Sequence, residues 1–348
     1  MCKLKCLLVF CIFGCFLAAS LLVSMGVAMG AESVEIKLSS TLAPGSTLEL
    51  AADKFKDLVE KNSGGEIKVV RYPSGELYDP KAEIEAVARG NLDMGVLHVA
   101  FVGSRSPVLE FIGSFGAQGC WDSPEHYYRF VDLPAVQKMA REEFKNKVNA
   151  HLLAMLPYGI TMVGSRKEPI RTIEDFKGQK LRTSGSDQAT VYRALGAVPT
   201  DLSSGEVYMA LQRGTIDGAM SGPMRWYLSK WYEVCPYLTQ DYSLPYMSFW
   251  LAMNYDVWEK LSQSHQNILT DAAQEIKQWA RSYSAKETQD AYDKLRATKQ
   301  VKEIIFFDKK QVSKMKEIVQ PAMKNLLVKR VGEEKADQLF SLLEQARQ

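Results

Sequence analysis

The stretch ALQRGTIDGAMSG, Ala210–Gly222, nearly repeats AVARGNLDMG, Ala86–Gly95. Each reads Ala, two residues, Arg-Gly, one residue, Leu or Ile, then Asp. A glycine just past a helical run supplies the left-handed residue that closes a helix, and the branched or leucyl residue behind it re-enters a sheet. A chain that writes one helix ending and strand entry twice is predicted to hold two lobes of similar construction.

Working outward, VEIKLSS alternates Val34, Ile36 and Leu38 as a strand does. TLELAADKFKDLVEKNSGG puts Ala51, Phe55, Leu58 and Val59 on one helical face and stops at Gly64. EIKVVRYP is a second strand, DPKAEIEAVARG a helix with Pro80 in its first turn, and LDMGVLHV a third strand. The second half follows the same grammar. A strand ends in QKLRTSG, a helix runs through SDQATVYRALG to Gly196, and AVPTDL is a strand. SSGEVYMALQRG is a further helix and TIDGAM a further strand. Strand and helix alternating predict parallel α/β sheets. Ser203 with Glu206 three residues on reads as a capping box, so Glu206 is taken as a cap rather than a catalytic acid.

No proline occurs between Pro245 and Pro321. Leu269, Ala272, Ala273, Ile276, Trp279, Ala280 and Tyr283 hold helical spacing inside that span. A helix from about Ser264 to about Lys299 would be on the order of 50 Å long and would cross both lobes. The alternative is two helices broken near Ser282 or Ser284. Two α/β lobes joined by several crossings form a cleft, the usual seat of a small molecule.

At 348 residues the chain suits two domains. Its 46% hydrophobic and 24% charged content permits a large core, so no disulfide framework or metal staple is required. Residues 1–30 are expected to be a signal peptide. Lys3 and Lys5 precede an apolar run, small residues follow, and the first acid is Glu32. Cleavage after Gly30 or Ala31 fits that order, with an uncleaved anchor as the alternative. A lipoprotein reading at Cys15 meets a bulky Phe13 two positions before it. Without Lys3 and Lys5 the 43 basic residues become 41, equal to the 41 acidic ones. A neutral chain lacking a basic cluster argues against nucleic acid and anionic membrane surfaces as partners. Four of the six cysteines fall in the signal, leaving Cys120 and Cys235, either bridged or separate thiols.

His98, His126, His151 and His265 show no HExxH or paired ligand spacing, and GxSxG, Walker and GxGxxG patterns are absent. The reading therefore assigns no metal, no cofactor and no catalytic residue. Its rival is a secreted hydrolase whose triad is assembled from distant residues. The strongest binding candidate is Arg182, at the carboxyl end of a strand and just before a helix start. Ligands of open α/β sheets lie beyond such strand ends, and a helix N-terminus adds unpaired N–H groups. A guanidinium there can grip a carboxylate with two parallel hydrogen bonds. The other reading of Arg182 is a surface ion pair with Asp187, which could also cap that helix.

FKGQKLRTSGSDQATVYRALGAVPTDLSSGEVYMALQRGTIDGAM resembles the signature of the periplasmic solute-binding proteins of TRAP transporters, the DctP family. That signature is a strand with K-[LI]-R, then L-G-A-x-P, then E-x-Y-x-A-L-Q-x-G-x-[IV]-D-G. YPSGELYDPKAEIEAVARGNLDMG resembles the same family's first lobe, and the likeness runs from about Ser33 to the C-terminal helices. It implies an α/β, two-lobed periplasmic-binding-protein-like fold, type II-like, with a long helix crossing both lobes. Residues 31–158 plus about 245–280 would form lobe I, and 159–244 plus about 281–348 lobe II. Hinges are expected near Leu156–Met162 and Leu244–Asn254.

The implied function is a non-enzymatic, monomeric periplasmic receptor for a small organic acid. It would pass its ligand to a TRAP permease of small and large membrane subunits driven by an ion gradient. Service to an ATP-driven importer or a sensor kinase is the alternative. In the family the K-[LI]-R arginine pairs with a ligand carboxylate, and Arg182 holds that position; a sulfonate would suit it nearly as well. Members that bind sialic acid place a second arginine about twenty residues earlier, where this chain has Met162, so a second cationic clamp is not expected. Ser221 stands where an amide often meets ligand. These departures suggest a smaller or more apolar acid, with Met162, Tyr158, Phe101 and Trp250 as walls, each weighed against a place in the core.

Overall fold

The computed structural model describes residues 33–102, 105–113, 117, 119–240 and 246–347. The expected signal, residues 1–30, and Leu244 and Pro245 of the second expected hinge lie outside the described residues. The chain opens β1 (Val34–Ser40), α1 (Thr47–Asn62), β2 (Ile67–Tyr72), α2 (Pro80–Arg89) and β3 (Met94–His98). Helices α3 (Pro107–Ile112), α4 (Pro124–Asp132) and α5 (Pro134–Glu143) lead to β4 (Ala150–Gly159). A second sheet begins with β5 (Met162–Ser165), β6 (Lys180–Thr183), α6 (Ser186–Ala194) and β7 (Val198–Asp201). It continues through α7 (Val207–Arg213), β8 (Gly218–Ser221), α8 (Pro223–Leu228) and β9 (Tyr237–Gln240). β10 (Met247–Asn254), α9 (Tyr255–Lys260), α10 (Gln263–Ala297), β11 (Glu303–Phe306), α11 (Lys309–Val331) and α12 (Glu333–Gln345) complete it.

The strand orders are β2-β1-β3-β10-β4 in the first sheet and β11-β9-β5-β8-β6-β7 in the second. The parallel pairs expected from the sequence form: β1 with β3, and β6 with both β7 and β8. The sheets are nevertheless mixed. β5 and β10, the strands that arrive directly from the other sheet, run antiparallel to their neighbours. A parallel neighbour demands a crossover connection; a strand entering from elsewhere is free of that demand.

The quoted repeat is one structural device used twice. Gly90 and Gly214 both take φ 73°, and their N–H groups donate to Ala86 and Val87 in one case and to Ala210 and Leu211 in the other. The next N–H, of Asn91 or Thr215, reaches the same alanine carbonyl at 2.9 or 3.0 Å. Leu92 and Ile216 are then buried. The aspartates have a role that the sequence reading left unassigned. Asp93 Oδ2 accepts the Lys37 N–H of β1 at 2.8 Å, and Asp217 Oδ2 accepts the Lys180 N–H of β6 at 2.9 Å. Each fastens the parallel strand beside its own, so neither is a ligand group.

The predicted long helix is continuous. α10 has 35 residues, about 52 Å at about 1.5 Å each, and packs on α1 and β4 and also on α8. Leu269, Ala272, Ala273, Ile276 and Ala280 are buried as their spacing predicts, whereas Trp279 stacks on Tyr283 at 4.8 Å in a half-buried position. The box at Ser203 is half formed. Glu206 accepts the Ser203 N–H at 3.0 Å, but the helix starts only at Val207. Cys120 and Cys235 do not bridge one another, and burial pushes the Cys120 thiol up to about 12.

One internal acid gives a pH signature. Glu83 of α2 is fully buried, and desolvation pushes its carboxyl from 4.5 up to about 8, with nearby Glu49 acting in the same direction and Ser39 and Arg71 against it. A carboxyl raised in the folded state contributes stability that is complete below pH 4.5. That contribution is lost as pH climbs through about 8. Glu83→Gln is expected to remove this loss. Wild-type stability should therefore fall relative to the variant by up to about 1.4 kcal/mol per pH unit inside that window, as measured by urea unfolding at stepped pH.

Candidate functional site

A cavity of about 750 Å³ is lined by both sheets and by the crossing helix. Its wall gathers residues at or just beyond the carboxyl ends of parallel strands: Thr41 after β1, His98 of β3, Arg182 of β6, Asp201 of β7 and Ser221 of β8. This is where the polarity of an α/β sheet puts loops and helix N-termini. α10 adds Glu287 and Thr288 from its middle.

Arg182 is 5% exposed, and its Nε donates to the Leu202 carbonyl at 2.8 Å while Nη2 donates to Ser204 Oγ at 3.3 Å. These bonds fix the plane of the guanidinium and leave the rest of the fork to the cavity. Burial lowers its pKa to about 10; Tyr192 and Asp201 oppose the shift and Arg225 adds to it. The group is still a cation at neutral pH. Asp187, the acid weighed as its surface partner, instead receives Arg330 at 2.6 Å. Gly185, without a side-chain cap, precedes the helix that Asp187 was weighed to cap.

A second guanidinium lines the same cavity. Arg225, in the first turn of α8, is half-buried and lies 5.9 Å from the Trp231 ring. Among the described residues neither arginine forms an ion pair. The cavity also holds a neutral imidazole. Desolvation, helped by Arg182 and Arg225, pushes His98 down to about 3. Its Nδ1 accepts the Ala100 N–H at 3.2 Å, so the ring proton belongs on Nε2, a donor without charge.

The cavity's acids are largely committed. Asp79 caps α2 through the Lys81 and Ala82 N–H groups at 2.8 and 2.9 Å. Glu206 holds Ser203, and Glu287 accepts the Thr47 N–H at 2.7 Å while burial raises its pKa. The lining thus combines two guanidinium groups with aromatic walls. No group of His, Cys, Asp and Glu able to hold a metal occurs among the described residues.

Residues 38–330 match the family described as bacterial extracellular solute-binding protein, family 7, DctP. The chain belongs to that family. The C4-dicarboxylate-binding protein DctB of Bacillus subtilis (strain 168) is 28% identical over 297 residues, which is 82% of this chain and 81% of that one. The C4-dicarboxylate-binding periplasmic protein DctP of Rhodobacter capsulatus is 29% identical over 283 residues, 79% of this chain and 81% of that one. Among solved structures, the sugar acid binding protein DctPAm from Advenella mimigardefordensis strain DPN7T, in complex with galactonate, matches with a TM-score of 0.82 at 24% identity. The match covers 90% of this chain and 99% of that chain. Membership in this TRAP solute-binding family makes the chain a two-lobed receptor and not an enzyme.

Of the residues singled out from the sequence, Arg182, Ser221, Tyr158 and Phe101 line the cavity together. Tyr158 Oη meets Ser221 Oγ at 3.3 Å, tying β4 of the first sheet to β8 of the second. Met162 and Trp250 do not line it. Met162 is buried in the core with Leu211, Ala219 and Trp226, and Trp250 packs on Phe144 at 4.9 Å with its Nε1 donating to Ser248 Oγ at 2.6 Å. Strand parity is the cause: successive side chains face opposite ways. Met247 and Phe249, the odd positions of β10, face the cavity, and Phe249 contacts both Tyr158 at 5.4 Å and His98 at 4.4 Å. The sequence reading missed His98, Phe249 and Arg225. Applying the strand-end rule to every parallel strand, and not only to β6, would have found the first and the last.

Proposed function

We propose that this chain is the periplasmic receptor of a TRAP transporter. It captures a small organic anion, carboxylate or sulfonate, on Arg182 between its lobes. It then delivers the ligand to an ion-gradient-driven permease of small and large membrane subunits. One observation carries this reading: a buried, charged guanidinium, held by two protein acceptors and by no acid among the described residues, lines a cavity large enough for a metabolite. Burying an unpaired cation is costly, and an oxyanion ligand is the group that offsets it. The named ligands of the relatives, C4-dicarboxylates and galactonate, are acids and support the same chemistry.

Lobe I is assigned 31–158 plus about 245–280, and lobe II 159–244 plus about 281–348. The change from β4 to β5 takes two residues after Gly159, whose φ of 98° suits a pivot that only glycine occupies easily. Closure about such crossings would let one ligand touch both lobes, and binding would shift the population toward the closed form. Among the described residues no helix is long and apolar enough to cross a membrane. Purified protein is expected to melt at higher temperature with one class of organic acid or sulfonate and to release no product from it. A ligand at a hundred times its Kd adds about 2.7 kcal/mol. A broad panel of such acids that leaves the melting curve unmoved would contradict the reading.

A further inference from the structure

We infer that Glu110, Asp187 and Arg330 form a proton-held latch between the two sides of the cleft, so that mild acidity favours the closed form and alkali releases it. The inference rests on the proposed closure of the lobes and names a contact that governs it. Glu110 belongs to α3, which packs on α5, on α11 and on the turn after β3 of the first sheet. Asp187 lies in the first turn of α6, which packs on β6 and β7 of the second sheet. Arg330 is in the last turn of α11, whose Met315, Val319 and Met323 share a core with Leu181 and Tyr192. One acid is therefore built onto the first sheet, the other acid and the arginine onto the second. Arg330 Nη1 donates to Glu110 Oε2 at 3.1 Å and to Asp187 Oδ1 at 2.6 Å, while Nη2 donates to Ser186 Oγ at 2.6 Å. The two sides abut at this point: a Cβ on Gly185 would stand 3.4 Å from the Ala100 carbonyl oxygen and 3.7 Å from Glu110 Oε1.

Two carboxyls on one guanidinium do not balance. Glu110 and Asp187 are 1% and 2% exposed, and both lie within 3.1 Å of a single nitrogen. Carboxylates so close and out of water do not both ionise, so the pair keeps one proton. Asp187 takes the shorter bond from Arg330 and another from Ser186 Oγ at 3.2 Å, so it holds the charge and Glu110 the proton. Burial and Asp187 push Glu110 up to about 8 against the pull of Arg330, and burial raises Asp187 as well. The surrounding groups do not supply a second cation. Arg105, just before α3, pairs with Glu85, and Lys324 of α11 pairs with Asp337 of α12. Glu143 of α5, bound to Ser106 Oγ, is a further acid, and Arg182 of β6 is turned to Leu202 and Ser204. Asp79, Lys81, Arg193, Asp201, Lys329 and the α12 acids Glu333 and Glu334 are exposed and screened. When the two sides part, water reaches Glu110 and its carboxyl returns to its ordinary 4.5. The closed form thus binds more protons than the open form between pH 4.5 and about 8. Its advantage is complete below that window and is lost as pH climbs through it, by up to about tenfold in the closed-to-open ratio per pH unit.

The test needs no ligand. Nitroxide labels on Glu76→Cys, in the rim loop that gives Gly75 and Tyr78 to the cavity, and on Met209→Cys, on α7 just past the rim residues Ser203 and Glu206, report the distance across the mouth by pulsed electron spin resonance. Both positions are exposed, whereas the native thiols of Cys120 and Cys235 are buried and escape the label. Between pH 6 and pH 9 the ratio of short-distance to long-distance populations is expected to fall at least about tenfold. Glu110→Gln keeps a neutral hydrogen-bonding group of the same shape and should hold the ratio within about twofold over that range. Asp187→Asn removes the competing charge and should do the same, so either variant carries the comparison if the other does not fold. Glu83 also titrates near 8 but lies within α2, so Glu83→Gln is the control that should keep the tenfold fall. A wild-type ratio that ignores pH, or a fall that survives in both Glu110→Gln and Asp187→Asn, overturns the inference. If the ratio ignores pH but an acid from the melting panel shortens the distance, the latch fails and lobe closure stands. If neither pH nor any acid of the panel moves the distance, closure fails with it.

Discussion

Arg182→Ala is expected to weaken binding of whichever organic acid wild type takes by at least about a hundredfold, while the unliganded protein melts close to wild type. The size follows from the kind of contact. Removing one partner of a buried, hydrogen-bonded charge pair costs about 2–5 kcal/mol, because the other charge is left without compensation. The preserved fold follows from what Arg182 does without ligand: two hydrogen bonds, to Leu202 O and Ser204 Oγ, set against the cost of desolvating a cation that burial has brought down to about 10. Losing both terms nearly cancels. Arg182→Lys is expected to fall between, since a single ammonium cannot hold the Leu202 carbonyl and offer a planar fork to the ligand. Calorimetry beside a melting curve separates the effects. Binding of the alanine variant within tenfold of wild type, about 1.4 kcal/mol, would remove Arg182 from the site.

What the sequence made legible was local. Arg-Gly endings announce left-handed caps because glycine alone takes that backbone cheaply, and both caps occur at Gly90 and Gly214 with φ 73°. The crossing helix was visible because its apolar period persists through more than nine turns without a proline. What stayed hidden depended on long-range pairing. β10 joins β3 and β4 from far along the chain, and its antiparallel sense follows from the route of entry rather than from its own residues. Parity was hidden for the same reason. All eight residues of β10 are buried, so no polar alternation marked Phe249 as the cavity side and Trp250 as the far side. Arg225 escaped because the sequence comparison looked for a second arginine upstream, whereas this chain puts one downstream of Ser221.

Gly164→Ala is expected to destabilise the protein by about 3 kcal/mol or more, at or beyond the upper end of ordinary overpacking. A Cβ at Gly164 would stand 2.1 Å from Trp226 Cη2 and 2.5 Å from its Cζ2, and that indole is fully buried, edge-on to Trp231 at 5.4 Å. The ring has no open side to turn into. On the paired strand the constraint is backbone on backbone: a Cβ at Gly218, the glycine of the quoted IDGAM, would lie 2.1 Å from the Gly164 carbonyl oxygen. Gly218→Ala must therefore part β8 from β5, where Ser165 faces Gly218 and Met162 faces Ser221. The two substitutions should differ in how they are rescued. Trp226→Leu opens space beside Gly164 and is expected to recover part of the Gly164→Ala loss in a double-mutant cycle, but none of the Gly218→Ala loss. The anion site should register the second change more strongly, because β8 carries Ser221 to the cavity and leads directly into the turn that bears Arg225. Denaturant unfolding that finds Gly218→Ala within about 1 kcal/mol of wild type would mean that the strands separate cheaply. The glycine of that motif would then need another cause.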